Sequence, residues 1–541
     1  MLNGGVRLKP AETTISPARS RPAPAMAGLF APLEMLLSGG GDPRLTINPA
    51  SGLNEYGCQP FPCPETLSFS SSTATSISQR AWDRAQKSRE GLMQSAIAMG
   101  IEDAFDARIE AMRDELRFAL GLPRALADVV FSPSGTDSQL QALFLAKTLL
   151  GNELTTVVVA ADQTGSGTAH TSRGCHFSAA TANGNRVQKG EPIEGLGGPA
   201  KSIALPLFDA AGQVRPEAAS DAMVFDAVER AIAGGSRVLL QVMDASKFGW
   251  RAPSDQCLDA IMARWGKQVQ VVVDACQMRL GRARLKDYLA HGYMVLITGS
   301  KFFTGPPFSG ALILPASLAR ILDSTAELPC GLFEYVSRSD WPRSWSKLRE
   351  RFPVRMNFGQ WLRWEAAIEE IAAYYRVPDA FRQLALSSFG HAVEARIAAS
   401  SSLELLPWQE RTAEADDEEL AQRTIFSFVI RRGDRIRTLD ECKGLYRALA
   451  GTAAGSNRSS PNAPPCLIGQ PVALGNGSSP AAALRISAGA RLVSESWSPD
   501  QSIASRNLDR VACDIGMAIA DLERLNSELN MPNSGEMSHA G

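Results

Sequence analysis

Five short aliphatic or β-branched runs, spaced tens of residues apart, constrain the fold of this chain more than any other feature. They are Thr155-Thr156-Val157-Val158-Val159-Ala160, Val238-Leu239-Leu240-Gln241-Val242-Met243, Val269 to Val273, Met294 to Thr298 and Ala311-Leu312-Ile313-Leu314. Strands apolar on both faces are buried on both faces, which is the habit of parallel sheets. The separations leave room for crossover helices such as Ser254 to Trp265, as parallel strands require. The pattern predicts an α/β fold with a mostly parallel sheet and ligands beyond the carboxyl ends of its strands.

Two of those ends carry chemistry. Asp274 closes the Val269–Val273 run, and Lys301 lies 27 residues later in Thr298-Gly299-Ser300-Lys301-Phe302-Phe303-Thr304-Gly305. A lysine and an acid at the ends of neighbouring buried strands suit pyridoxal 5'-phosphate (PLP). That cofactor is carried as a Schiff base on a lysine amine and acts as an electron sink while a carboxylate keeps its ring nitrogen protonated. A lone strand-end lysine is more often a solvated residue at a helix start, so the reading needs further support.

Upstream, Phe131-Ser132-Pro133-Ser134-Gly135-Thr136-Asp137-Ser138 runs into the helical pattern Leu140 to Ala146. Small residues with free N–H groups at a helix start form a phosphate seat. Ser and Asp also serve there as ordinary caps, and it is the position ahead of Asp274 and Lys301 that favours phosphate. Thr136, Asp274 and Lys301 are expected to converge at one edge of the sheet.

These residues resemble the fold type I PLP enzymes and, within them, the aminotransferase class V and cysteine desulfurase-like group, in order and rough spacing over about residues 125 to 490. The resemblance implies a mostly parallel seven-stranded sheet in a large domain and a smaller α+β C-terminal domain. Asp274-Ala275-Cys276-Gln277 looks like the group's Asp-x-x-Gln, which would pair Asp274 with the ring nitrogen and Gln277 with the ring oxygen. Thr298-Gly299-Ser300-Lys301 looks like its Ser-x-His-Lys, making Thr298 a phosphate ligand and Lys301 the Schiff-base residue. Ser246-Lys247-Phe248-Gly249 occupies the place of Asn-Glu-x-Gly and brings in Ser246; Gly135 and Thr136 complete the cofactor set. Arg351-Phe352, Asn357 and Ala366-Ala367-Ile368-Glu369 resemble the stretch by which a neighbouring subunit reaches the phosphate, which implies a homodimer with active sites near the interface. Leu484-Arg485-Ile486-Ser487 resembles the segment whose arginine grips a substrate carboxylate, and a guanidinium fork matches that group in two bonds.

The departures bear on the reaction. No histidine stands in Asp162-Gln163-Thr164-Gly165-Ser166-Gly167, where the group stacks one on the ring; Gln163, Thr164 or, less well placed, His170 would take that position. Ser300 replaces the histidine before the lysine. Val354-Arg355-Met356-Asn357 replaces Gly-Thr-Pro-Asn, so that Arg355 would reach the phosphate from the other subunit. Desulfuration needs a thiolate on a mobile loop. Cys466 follows the Gly455–Pro461 stretch 19 residues before Arg485, although a structural cysteine is the simpler reading of it. Cys276 reads as a small packing residue.

The chain has 541 residues, 45% of them hydrophobic, and can fill more than one core. The expected organisation is a flexible tail to residue 28, which also fits a transit peptide, an arm and helical segment at 29–124, a PLP-binding domain at 125–325, a small domain at 326–530 and a polar tail at 531–541. A long helical pattern runs from about Ser76 to Leu120, and Ile425 to Ile430 and Leu484 to Ser487 read as strands. Arg44 and Tyr56, in the turn-rich segment ahead of the helix, are candidates to close the active site of a partner subunit. A net charge of −2 gives no reason to expect nucleic acid or an anionic membrane. Nine scattered cysteines without metal spacing suit a reducing, cytoplasmic compartment and no metal.

The leading expectation is an aminotransferase acting on an amino acid, with a PLP-dependent lyase, by carbon–sulfur cleavage or decarboxylation, as the alternative. A non-catalytic PLP-fold binding protein is the third reading, and the intact pair Asp274 and Lys301 speaks against it.

Overall fold

The computed structural model describes residues 28–198, 201–325, 327–411, 416–451, 464–475 and 478–528. The tails read from composition and the Gly455–Pro461 stretch lie outside the described residues.

The first strand, β1 (Leu67–Phe69), belongs to a second, smaller sheet. The main sheet follows, with β2 (Ala127–Ser132), β3 (Leu154–Val159), β4 (Lys201–Leu205), β5 (Arg237–Met243), β6 (Val269–Asp274), β7 (Met294–Thr298) and β8 (Gly310–Pro315). Its order is β2-β8-β7-β6-β5-β3-β4, and only β8 runs antiparallel to its neighbours. All five apolar runs are strands of this seven-stranded, mostly parallel sheet. β2, β3, β6, β7 and β8 are buried along their whole length. Ser254 caps the crossover helix Asp255–Trp265 by accepting from Cys257 N.

The smaller sheet adds β9 (Leu403–Leu405), β10 (Ile425–Arg432), β11 (Arg435–Ile436), β12 (Cys466–Leu474) and β13 (Ala481–Ser487) in the order β1-β12-β13-β10-β11, with β9 on β10. β1 pairs parallel with β12, so the N-terminal segment is built into this sheet.

The helical pattern from Ser76 to Leu120 is two helices, Gln79–Met99 and Ile101–Ala119. Gly100 breaks it at φ +86°, a conformation glycine reaches without a Cβ clash. A third helix, Phe358–Tyr375, passes beneath the Lys301 loop. A Cβ on Gly299 would lie 2.4 Å from Ala367 Cβ and one on Gly305 2.7 Å from it, so two glycines permit that approach. Trp364 Nε1 donates to Gly310 O at 2.9 Å across the same contact. Ala366 and Ala367, expected to approach a neighbouring subunit's phosphate, are buried here inside their own chain.

Candidate active site

A cavity of about 390 Å³ opens at the carboxyl ends of the main-sheet strands, within the usual size range of small-molecule and cofactor sites. Gly135, Thr136, Asp274, Gln277, Thr298, Lys301 and Arg485 all line it. The sheet brings them together because β2, β6 and β7 each end at this edge and the helix Gly135–Leu150 begins there.

At one end, Ser134 caps that helix by accepting from Asp137 N at 3.2 Å, leaving the first N–H groups at the cavity wall. A Cβ on Gly135 would stand 2.7 Å from Cys276 Sγ and 3.3 Å from Thr298 Cγ2, so only glycine keeps this wall open. Thr298 Oγ1 donates to Cys276 O at 2.7 Å and ties the ends of β6 and β7 together. Burial pushes Asp137 up to about 7 against the hydrogen bond from Ser134. The first helical turn therefore sets less than a full negative charge against an arriving phosphate.

Asp274 lies in the middle. Burial raises its carboxyl, opposed by hydrogen bonding from Cys276 and by the Lys301 charge; Cys276 N donates to Asp274 Oδ1 at 3.2 Å. A buried acid raised in this way gains from a cationic ring N–H as partner. Gln277 Nε2 donates to Ser72 O at 3.1 Å while its Oε1 has no partner. Gln163 lines the cavity with both amide atoms buried and unpaired, an orphaned group that a polar cofactor would satisfy. This donor set fits PLP: a helix N-terminus and a threonine for phosphate, an acid for the ring nitrogen, an amide for the ring oxygen and a lysine.

Lys301 Nζ donates to Thr73 O. Desolvation by burial lowers its amine to about 8, and the nearby charges of Arg485, Lys247 and Arg44 push the same way. Thr73 also holds the far wall, where Arg485 Nη2 donates to Thr73 Oγ1 at 3.1 Å and to Gln470 O at 2.6 Å, and Arg485 Nη1 to Lys247 O at 3.3 Å. Arg485 Nε is buried without a partner, and burial lowers the guanidinium to about 10.

The segment Ser70–Thr75 is stitched between the two walls. Ser71 Oγ donates to Ala488 O at 2.6 Å and Thr75 Oγ1 to Thr304 O at 3.0 Å. Loop backbones around the cavity hold strained conformations: Ala160, Met278, Thr304 and Phe308 all have φ between 51° and 69°, which non-glycine residues adopt at a cost.

The other expected residues are placed as follows. Ser246 is not among the residues lining the cavity; its hydroxyl accepts from Phe248 N and Trp250 N and closes a turn. Its neighbour Lys247 lines the cavity instead. His170 is absent from the wall, whereas Gln163 and Thr164 are in it. Arg44 and Tyr56 line the cavity of their own chain, with Arg44 bound to Asp42 and 5.0 Å from the centre of the Phe308 ring. Arg355 donates to Phe333 O and Val336 O of its own chain. Asn357 caps the helix beginning at Phe358 and donates to Gly40 O. Cys466 is buried on β12, outside the cavity wall, with its thiol pushed up by burial, which disfavours the thiolate. Cys276 packs against Gly135 and also faces the cavity. The sequence reading missed Thr73 and Gln470, which lie far from the motifs; only the small-residue run Ser70 to Ala74 hinted at a close-packed segment.

No protein-family model and no curated protein matches the chain. Solved structures do. The Oryza sativa TDC solved with PLP and tryptamine is 12% identical with a TM-score of 0.50, over 88% of this chain and 85% of that one. A NifS-like protein from Rickettsia africae is 10% identical with a TM-score of 0.48, over 85% of this chain and 99% of that one. The cysteine desulfurase CsdA from Escherichia coli is 16% identical with a TM-score of 0.46, over 86% and 95%. The seven-stranded sheet with its smaller companion is thus the fold of the type I PLP-dependent enzymes. Among the described residues no helix is long and apolar enough to cross a membrane.

Proposed function

We propose that this chain is a PLP-dependent enzyme that acts on an amino acid, with Lys301 carrying the cofactor. The observation behind this reading is the convergence of Lys301, Asp274, Gln277, Thr298, the Gly135 helix start and Arg485 on one cavity. When bound, PLP supplies an electron sink for bonds at the substrate α-carbon.

The remaining work falls to the chain's own residues. An amine lowered to about 8 keeps a substantial neutral fraction at physiological pH, so Lys301 Nζ is a competent nucleophile toward a carbonyl and, once released by substrate, a base and acid for a proton at the α-carbon. Asp274 would hold the ring nitrogen protonated. The first N–H groups of the helix after Ser134 would hold the phosphate, joined by Thr298 once its hydroxyl turns from Cys276 O. Arg485 orients a substrate carboxylate, and the Ser70–Thr75 segment with Tyr56 and Phe308 limits access of water.

For the outcome we favour a lyase. The Oryza sativa structure, solved with PLP and tryptamine, an amine without a carboxylate, supports that reading. The buried Cys466 turns it toward cleavage that needs no thiolate from that residue. Transamination is the second reading, favoured by a buried arginine that would retain the substrate carboxylate. We further propose that two copies pair as a homodimer, which light scattering of the purified protein tests.

An absorbance scan with added PLP tests the central reading. Wild-type protein is expected to show the visible band of lysine-bound PLP, which changes on adding an amino acid substrate; Lys301→Ala is expected to lack it. A band that survives in Lys301→Ala overturns the assignment, and a wild-type band indifferent to every amino acid supports the non-catalytic reading. Release of carbon dioxide or another cleavage product identifies a lyase, and keto acid with pyridoxamine phosphate a transaminase.

A further inference from the structure

The cavity holds more positive charge than one carboxylate needs. Four cations line it: Arg44, Lys247, Lys301 and Arg485. Arg44 is neutralised by Asp42, and Lys301 is committed to the cofactor. The acids in the wall are Asp274, assigned to the ring, and the exposed Glu55. Among the described residues neither Lys247 nor Arg485 makes an ion pair: of the acids that Lys247 senses, Asp162 accepts from Leu207 N and Phe208 N and Asp274 is assigned to the ring. Arg485 bonds only to the Thr73 hydroxyl and to main-chain oxygens. The Lys247 ammonium makes no hydrogen bond or ion pair with any described residue. Arg485 is buried with its Nε unpartnered, which is costly for a charge, and the half-buried Lys247 faces the same cavity, so an anionic ligand would partner both.

The phosphate is an unsuitable counterion for this pair on grounds of topology. Its seat lies where β2 and β7 end, and Asp274 ends β6; Lys247 follows β5, on the other side of Asp274 in the strand order. The charges that Lys247 senses are those of Arg485, Asp162 and Asp274. Lys247 is also well fixed. Its turn is closed by Ser246, whose hydroxyl accepts from Phe248 N at 3.1 Å and Trp250 N at 3.0 Å, and its carbonyl receives Arg485. A cation presented on a closed turn beside a second cation is preorganised for a ligand with two acids.

We propose that Lys247 and Arg485 form a two-cation seat for a dicarboxylic amino acid of aspartate or glutamate size, one carboxylate on each. This rests on the PLP reading above and adds the substrate class to it.

Calorimetric titration of PLP-loaded protein with succinate, glutarate and butyrate tests the seat without turnover, since none carries an amine. The expected result is dicarboxylate binding at least about 10-fold tighter than butyrate in the wild type, as for a buried charge-assisted contact. That preference is expected to vanish in Lys247→Gln with PLP content unchanged. Equal affinities for all three in the wild type overturn the inference, as does a Lys247→Gln variant that keeps the dicarboxylate preference, whether or not it loses PLP. Should the variant not fold, the wild-type comparison still decides. Wild-type protein that takes up no PLP, seen by absorbance before any titration, overturns the functional reading and this inference with it, whereas a PLP-loaded protein blind to the second carboxylate overturns the inference alone.

Discussion

The two ends of the cavity, the cofactor end and the substrate end of the function proposed above, are built in different ways. The cofactor end comes from Gly135, Thr136, Asp274, Gln277, Thr298 and Lys301, each on or next to the carboxyl end of a strand in one continuous sheet. The substrate end comes from Arg44, Tyr56, Thr73, Gln470 and Arg485, drawn from near both ends of the chain, with Lys247 from the turn after β5; Thr73 Oγ1 accepts from both Gln470 N and Arg485. The first is set by strand order and local turns, and touches the arm only where Gln277 and Lys301 donate to Ser72 O and Thr73 O. The second exists only when β1 has paired with β12 and the Ser70–Thr75 segment has closed over the sheet. The cofactor end is therefore expected to depend less on the arm than the substrate end does.

The largest effect expected from separating the ends is at Arg485. Replacing it with Gln removes the carboxylate partner but keeps an amide near Thr73 and Gln470. Loss of one member of a buried charge pair costs several kcal/mol, so KM for the amino acid is expected to rise roughly 100-fold, while the PLP band and PLP affinity stay near wild type. Steady-state kinetics and a PLP titration on the same preparation check both halves. Loss of PLP together with substrate binding would show that the two ends are one unit.

The converse variant is Gly135→Ala. The added methyl meets Cys276 Sγ at 2.7 Å and Thr298 Cγ2 at 3.3 Å, in a wall with little room to relax. Overpacking of this kind costs about 1–3 kcal/mol, so PLP affinity is expected to fall about 10-fold or more, with KM unchanged once PLP saturates the protein. Equilibrium dialysis with PLP measures it. An unaltered PLP affinity would remove the helix start from the phosphate seat.

The same difference explains how much could be read from the sequence. The five aliphatic runs are strands because burial on both faces leaves a continuous apolar signature, and Lys301, Asp274 and Gly135 were legible because they punctuate those runs. The break at Gly100 was hidden, since the apolar period continues on both sides of it. Thr73 was hidden as well: its part in the site comes from contacts with Lys301 and Arg485, hundreds of residues away, and a threonine in a run of serines carries no periodic signal. Ser246 and Lys247 share one tight turn, and the hydrogen bonds by which the Ser246 hydroxyl closes it, to Phe248 N and Trp250 N, are invisible in the sequence, as is the place of Lys247 in the cavity wall. Arg44 and Tyr56 carried their chemistry visibly, but whose cavity they serve is a property of chain path.

The smallest expected effect sharpens the comparison from the side of stability. Burial, and next the Arg485 charge, lowers Lys247 from its ordinary 10.5 to about 8. Below pH 8 the native protein without PLP carries this ammonium unpaired; the unfolded chain holds the same proton up to about 10.5, so this group makes stability rise as pH climbs from about 8 to 10.5. Lys247→Met removes the unpaired charge. The variant is expected to be more stable than wild type by on the order of 1–3 kcal/mol at pH 7, and the gain to shrink toward pH 10.5. Asp162, Asp274, Arg485 and Lys301, the charged groups nearest to Lys247, are present in both proteins, so the difference between the two denaturation curves isolates Lys247. A variant less stable than wild type at pH 7 would make Lys247 a packing residue and leave the substrate end with a single cation. A gain confined to low pH would mean that the substrate end, unlike the cofactor end, is held in a form that costs stability until an anion completes it.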